Sequence, residues 1–231
     1  MAATKDVVAI VHERLEELGA QQSLEPLKQL FWTDLSYNRE NRPLSYRNWS
    51  EALQKNLNEP PLLFASAGKE RDFAVIYLHL QDKELFLSHE RPIVQKLLDE
   101  HLDALFIFSN DIQSKWHFVN VKQDSKRSKR PLLRRITVGP EERLRTASER
   151  LSLLDLVSKE QASRLVIRDI HEQAFDVQAV TDTFFKEYKY QFQLLQRDLE
   201  IQTGDLTWAH DYALQFLIVV CFSISSSARG G

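Results

Sequence analysis

Along the first third of the chain, apolar positions recur at helical spacing. Val7, Val8, Val11, Leu15 and Leu18 follow the 3.6-residue period and predict a helix over 5–18 that Gly19 stops. Ser23 caps a second helix, with Glu25 and Pro26 in its first turn and Leu27, Leu30 and Phe31 on its apolar face. Residues 37–43 (YNRENRP) are polar throughout and predict a loop. Ser45 opens a third helix through Trp49, Leu53 and Leu57, which Asn58-Glu59-Pro60-Pro61 ends.

The pattern then changes. Residues 73–80 (FAVIYLHL) form a near-continuous apolar run, as in a strand covered on both faces. Asp82-Lys83 makes a turn, and 84–87 returns as a short partner strand. Residues 90–101 are helical, with Ile93, Val94, Leu97 and Leu98 on one face. Residues 104–109 and 116–122 read as a hairpin around Asn110-Asp111, and 132–138 as a fifth strand. The helical period returns with Pro140 at the first helical position, Glu141 and Glu142 at the positive end of the helix dipole, and Leu144, Ala147, Leu151 and Leu154 as the stripe. Ser158 and Gln161 have capping-box spacing for a short helix. Asp176 caps the longest helix, running to about Glu200, whose stripe includes Tyr188, Phe192, Leu195 and Leu199.

These elements predict an α+β fold: one mixed five-stranded sheet over about 73–138 with the 90–101 helix packed on it, flanked by N-terminal and C-terminal helices. The organisation reads as a helical segment over 1–62, a sheet core with a basic loop over 63–156, and C-terminal helices over 157–217.

Composition narrows the function classes. With 231 residues, 43% hydrophobic and 27% charged, the chain is long enough for a well-buried core. One cysteine, Cys221, excludes a disulfide framework and a multi-thiolate zinc site. Acidic residues in the first amphipathic turns depart from a signal peptide, and no apolar run has the length of a membrane span. The expectation is a cytoplasmic protein without a membrane partner.

The net charge is −3, yet basic residues are segregated. Residues 122–150 hold ten of them, Lys122, Lys126, Arg127, Lys129, Arg130, Arg134, Arg135, Arg143, Arg145 and Arg150, against four acids, Asp124, Glu141, Glu142 and Glu149. Such a block can track a phosphate backbone, releasing a counterion at each contact. It can equally be a solvated loop joining two strands.

Catalytic signals are sparse. Metal-dependent nucleases of the restriction-endonuclease type need an Asp on one strand and (D/E)xK on the next, the carboxylates holding the metal and the Lys orienting water. Asp111 followed by Asn120-Val121-Lys122 approaches this pattern, with Asp72 or Glu90 as a further carboxylate. Asn120, however, is neutral where a carboxylate is required. The seven histidines show no HxH or HExxH spacing and indicate no metal site. His79 and His117, inside strands, read as core or edge histidines. Residues 58–62 (NEPPL) share only their prolines with the NPPY element of adenine methyltransferases.

Four blocks, 31–45 (FWTDLSYNRENRPLS), 104–122 (ALFIFSNDIQSKWHFVNVK), 132–156 (LLRRITVGPEERLRTASERLSLLDL) and 172–192 (EQAFDVQAVTDTFFKEYKYQF), resemble the N-terminal region of type IIG restriction–modification enzymes. That family carries a class I S-adenosylmethionine-dependent adenine-N6 DNA methyltransferase domain further on. The resemblance extends to about Leu217. It implies a DNA-associated module that engages double-stranded DNA, with a nuclease-like but degenerate fold. The cofactor glycine motif and the NPPY motif have no counterpart here. S-adenosylmethionine and Mg²⁺ would therefore belong to the full-length parent, with the methyltransferase domain missing in cis. Where the family continues as NR, two residues, then FLYFIQRKG, residues 218–231 read IVVCFSISSSARGG. For a suitable choice of codons, a one-nucleotide phase shift converts one into the other. The expectation is an out-of-frame tail that frays after about Phe222.

Overall fold

The computed structural model describes residues 6–122, 132–159 and 161–227. It divides into two units, 1–176 and 177–231.

The first unit is built on a six-stranded sheet: β1 (Asn38–Pro43), β2 (Leu62–Ala67), β3 (Phe73–His79), β4 (Ala104–Ser109), β5 (Trp116–Lys122) and β6 (Leu132–Val138), in spatial order β1-β2-β3-β4-β5-β6. All neighbours are antiparallel except β3 and β4, which are parallel and joined by α4 (Leu87–Leu98). This is the mixed α+β sheet that the apolar runs predict, with differences at its start. Residues 84–87 form no strand; Leu87 already opens α4. The sheet instead begins earlier, with β1 in the segment that the sequence predicts as a loop and β2 in residues 62–67, just beyond the predicted helix stop.

β1 is the polar segment read as a loop. It lies at the sheet edge, where only one flank needs a partner, and the β2 ladder holds it through pairs such as Asn38 with Ser66 and Pro43 with Leu62. Pro43, with no N–H to give, is tolerable at such an edge.

Each sheet face carries an apolar layer. On one, α1 (Val7–Gln21), α2 (Glu25–Gln29), a π-helical turn (Leu30–Asp34), α5 (Leu144–Leu151) and α6 (Arg164–Ala174) cover the sheet. Val11, Leu15, Phe31, Phe64, Trp116, Phe118, Leu151 and Phe175 are buried in that layer. On the other face, α4 supplies Ile93, Val94 and Leu97 against Ile76, Leu78, Phe106, Phe108 and Val119. Strands β3 and β4 are buried on both sides, which explains their uninterrupted apolar runs.

Helix boundaries depart from the sequence reading where capping chemistry was over-read. α1 runs through Gly19 to Gln21 and ends at Gln22 in the left-handed region. The third helix is one short turn, α3 (Glu51–Lys55), preceded by Ser50 rather than Ser45. Pro140, Glu141 and Glu142 form a turn, and α5 starts at Leu144. Ser158 sits at positive φ in a turn, and α6 begins at Arg164 behind Ser163.

The second unit is a helical hairpin of α7 (Val177–Thr203) and α8 (Leu206–Ser227). Gly204, at φ +70°, turns the chain, and Asp205 Oδ1 accepts the N–H of Trp208 to cap α8. Tyr188, Phe192, Leu195 and Leu199 are half-buried, as the stripe predicts, and Ala209 and Ala213 are fully buried. α8 continues to Ser227, past the point near Phe222 where fraying was expected, because its hydrogen bonds are internal to the segment. No helix among the described residues is long and apolar enough to cross a membrane.

Candidate functional site

The residues named from sequence fall at different places on the sheet. Asp111 follows β4, at the end of the sheet where β5 begins. Lys122 is the last residue of β5, at the opposite end. Six residue steps at ~3.3 Å each separate Trp116 from Lys122, roughly 20 Å along the strand. Asp111 and Lys122 therefore do not share a site. Asp111 is engaged locally: its Oδ1 accepts the N–H of Ile112, and its carbonyl lies 3.0 Å from His79 Nε2. Beside it, Asn110 organises the β4–β5 turn. Its Oδ1 accepts the N–H groups of Ser114 and Lys115, and its Nδ2 donates to the Lys83 carbonyl.

Asp72 lies just before β3 at the Lys122 end, where Arg164 holds Asp103 at 3.0 Å and Asp72 at 4.0 Å. Within the described strands the single carboxylate is Glu40, on β1, bonded by Ser66 Oγ at 2.9 Å. No adjacent strand pair thus presents an Asp facing a (D/E)xK, and no group of three or more metal-ligating side chains gathers among the described residues.

The basic set is dispersed rather than aligned. Lys126, Arg127, Lys129 and Arg130 lie outside the described residues, in the connection between β5 and β6. Lys122 and Leu132 flank that connection as a cross-strand pair. Arg134 is largely buried and bridges to Asp176 at 3.4 Å. Arg150 is buried and donates from Nε to the Ala174 carbonyl. Burial pulls the Arg150 guanidinium below its ordinary pKa, Asp176 opposing and Arg134 reinforcing the effect. Arg150 therefore holds α5 to the end of α6 rather than facing solvent. Arg145 is exposed and pairs with Glu149 one turn along α5, and Arg143 is exposed just before that helix. Arg135 is exposed on the opposite sheet face from Arg134, because successive strand residues alternate sides.

One constellation escaped the sequence reading. Glu90 occupies the apolar stripe of α4, three residues before Ile93, and is fully buried. Its Oε1 bonds Nδ1 of His117, on β5, which is also buried. Glu90 Oε2 has no partner. The signal was present: an acid at the i−3 position of an apolar stripe is out of place unless something pairs with it. Only the tertiary fold shows that the partner is a strand histidine twenty-seven residues on.

His117 forms part of a cleft of about 190 Å³ at the outer end of β5 and β6. Thr137, opposite His117 in register, and Arg135, two residues back along β6, share its sheet face and line the cleft. One wall is an ion pair in which Lys115 Nζ contacts both Glu84 oxygens, at 2.7 and 2.8 Å. That bond is the main reason Lys115 is raised above the usual lysine pKa. Glu141 and Glu142 stand exposed at the rim. The arrangement offers one oriented imidazole, one guanidinium and one hydroxyl toward a common space.

No protein-family model, curated protein or solved structure matches this chain.

Proposed function

We propose that this chain is the DNA-associated N-terminal module of a restriction–modification enzyme, acting beside an adenine-N6 methyltransferase domain that supplies S-adenosylmethionine chemistry. Four sequence blocks resembling that family support the reading. The observation that carries it is the position of the strand ends that flank the basic run. Lys122 and Leu132, the cross-strand pair between which residues 126–130 fall in sequence, belong to β5 and β6, and β6 is an edge strand of the described sheet. A basic connection at a sheet margin can approach a duplex without disturbing the core. In this reading the module binds and orients double-stranded DNA and performs no chemistry on it.

The test is a salt titration of duplex binding. Replacing Lys126, Arg127, Lys129 and Arg130 by Ala is expected to weaken binding and reduce the log–log salt slope by about 0.9 for each phosphate that is no longer neutralised. Unchanged affinity and slope would return the run to a solvated loop.

A second reading, a protein-interaction module, draws on the helical hairpin. Trp208, Tyr212 and Phe216 stack along one face of α8 while each remains nearly half exposed. DNA-independent capture of the methyltransferase domain would favour it.

A further inference from the structure

The outer face of α7 repeats the spacing of its inner one. Tyr188, Phe192, Leu195 and Leu199, four, three and four residues apart, are half-buried in the α7–α8 hairpin. Two residues on from each come Tyr190, Leu194, Arg197 and Ile201. At about 3.6 residues per turn, a step of two carries them about 200° round the helix, to the side away from the inner stripe. Glu187, three residues before Tyr190, continues this second stripe at the same heptad spacing. Tyr190 is 57% exposed, Leu194 41% and Ile201 72%, and Glu187 and Arg197 are exposed as well. A surface helix covered on one side normally turns a polar face to water, whereas apolar residues at heptad spacing are the seam that one helix offers to another.

The order of side chains along the stripe sets what fits it. Glu187, Tyr190, Leu194 and Arg197 are complementary to their own reversed order about the level of Phe192. An antiparallel copy of α7 then sets Glu187 against Arg197 and Tyr190 against Leu194, and two-fold symmetry makes each contact twice. Beside the seam, the exposed Lys186 meets the exposed Glu200 of the second copy. Within one helix Glu187 and Arg197 stand about 15 Å apart along the axis and cannot reach each other. Parallel pairing in register would set Glu187 on Glu187 and Arg197 on Arg197, two like-charge contacts. A charged pair in an otherwise apolar seam fixes orientation and register at some cost in affinity. Nor does this stretch attract a polyanion, since Lys186, Lys189 and Arg197 are balanced by Glu187, Asp198 and Glu200.

We propose that the outer stripe of α7 is a dimer interface, on which a second copy of this chain lays its own α7 antiparallel about a two-fold axis level with Phe192. The interface is independent of the DNA-associated reading and lies on a different helix from the aromatic row of α8.

The experiment is sedimentation velocity of the full chain over a range of concentrations, with circular dichroism as the check on helicity. Wild type is expected to pass from monomer to dimer as concentration rises. Arg197→Glu leaves two acids on each stripe and Glu187→Arg two bases, so each variant alone should dimerise about tenfold more weakly. Leu194→Gln removes apolar contact without changing charge and should weaken the dimer by a similar factor. An equimolar mixture of Arg197→Glu and Glu187→Arg restores the opposite-charge contacts, so a heterodimer of wild-type affinity should form, recognised by a fluorescent label on one variant. That recovery supports the antiparallel register, and variants that merely unfold do not produce it. If the charge variants dimerise as tightly as wild type, the chain associates through another face and the proposal is overturned. A mixture that gains nothing over its components overturns it too, because the stripe does not pair in this register. A wild-type chain that stays monomeric throughout also overturns it, and binding of the separate methyltransferase domain to wild type but not to Leu194→Gln would then give the stripe to that domain.

Discussion

Among individual residues, His171 carries a clear electrostatic consequence at acid pH. It is fully buried on α6, with Nε2 2.8 Å from the Tyr37 hydroxyl and its ring against Phe73 at 4.2 Å between centroids. Its Nδ1 has no partner. Burial lowers its pKa to about 3 and raises that of Tyr37 above the ordinary tyrosine value, so both groups are neutral in the folded protein near pH 7. The linkage has a definite sign. Below the ordinary histidine pKa near 6.5 the unfolded chain takes up a proton that the folded chain refuses until about pH 3. Stability from this residue should therefore be intact above pH 6.5 and fall as the pH drops through that window, by up to ~1.4 kcal/mol per pH unit. Denaturant midpoints measured from about pH 7 to about pH 4 should show this decline, and His171→Leu should flatten it. An equally steep profile in the variant would assign the acid sensitivity to other groups.

At the scale of elements, what the sequence discloses depends on whether an element's partner is local. β3 and β4 are legible because both faces are apolar, and α5 is legible because Ala147, Leu151 and Leu154 keep their period into the core. β1 is not, since NRENRP becomes a strand only through the ladder offered by β2, and an edge position removes the demand for apolar alternation. β2 is short and follows two prolines, so its six residues resemble the tail of a helix stop. The Asp111 and Lys122 pairing failed for a related reason. Sequence spacing across a hairpin does not say that the two positions lie at opposite ends of it. The Glu90 and His117 pairing needed the α4 crossover to exist first. The turn between α7 and α8 gives a prediction at this scale. Gly204 sits at φ +70° with nothing within 4 Å of where a Cβ would be, so its requirement is conformational alone. Gly204→Ala should cost about 1 kcal/mol, read as a lower melting temperature of the helical signal. A neutral effect would mean that the turn relaxes to another conformation.

For the molecule as a whole, the two units differ in how they bury apolar surface. The first holds both core layers around the sheet. In the second, Phe185, Ile201, Leu206 and Val219 are each more than half exposed, and the fully buried side chains described there are small, Ala209 and Ala213. A fragment of residues 6–176 should therefore unfold cooperatively by itself, with coincident fluorescence and circular-dichroism transitions. The isolated hairpin of residues 177–231 should show low, concentration-dependent helicity, as expected where packing rather than propensity stabilises helices. A non-cooperative melt of the 6–176 fragment would show that the sheet unit depends on the hairpin.

The order of strands in space repeats their order along the chain, and this has a kinetic consequence. Each strand pairs with the one synthesised just before it, and the single parallel step, β3 to β4, spans only the α4 crossover. No strand must await a partner beyond its neighbour in the chain, so the closure entropy at each addition is that of the single connection between them, and it grows only slowly with that connection's length. During synthesis the sheet can extend one strand at a time from β1 toward β6, each new strand finding a finished edge to template it. The last strand to arrive is β6, and with it Arg135 and Thr137. The cleft at the outer end of β5 and β6 is thus among the last parts of the sheet to assemble, and a nascent chain would acquire it only after the strands before it had formed.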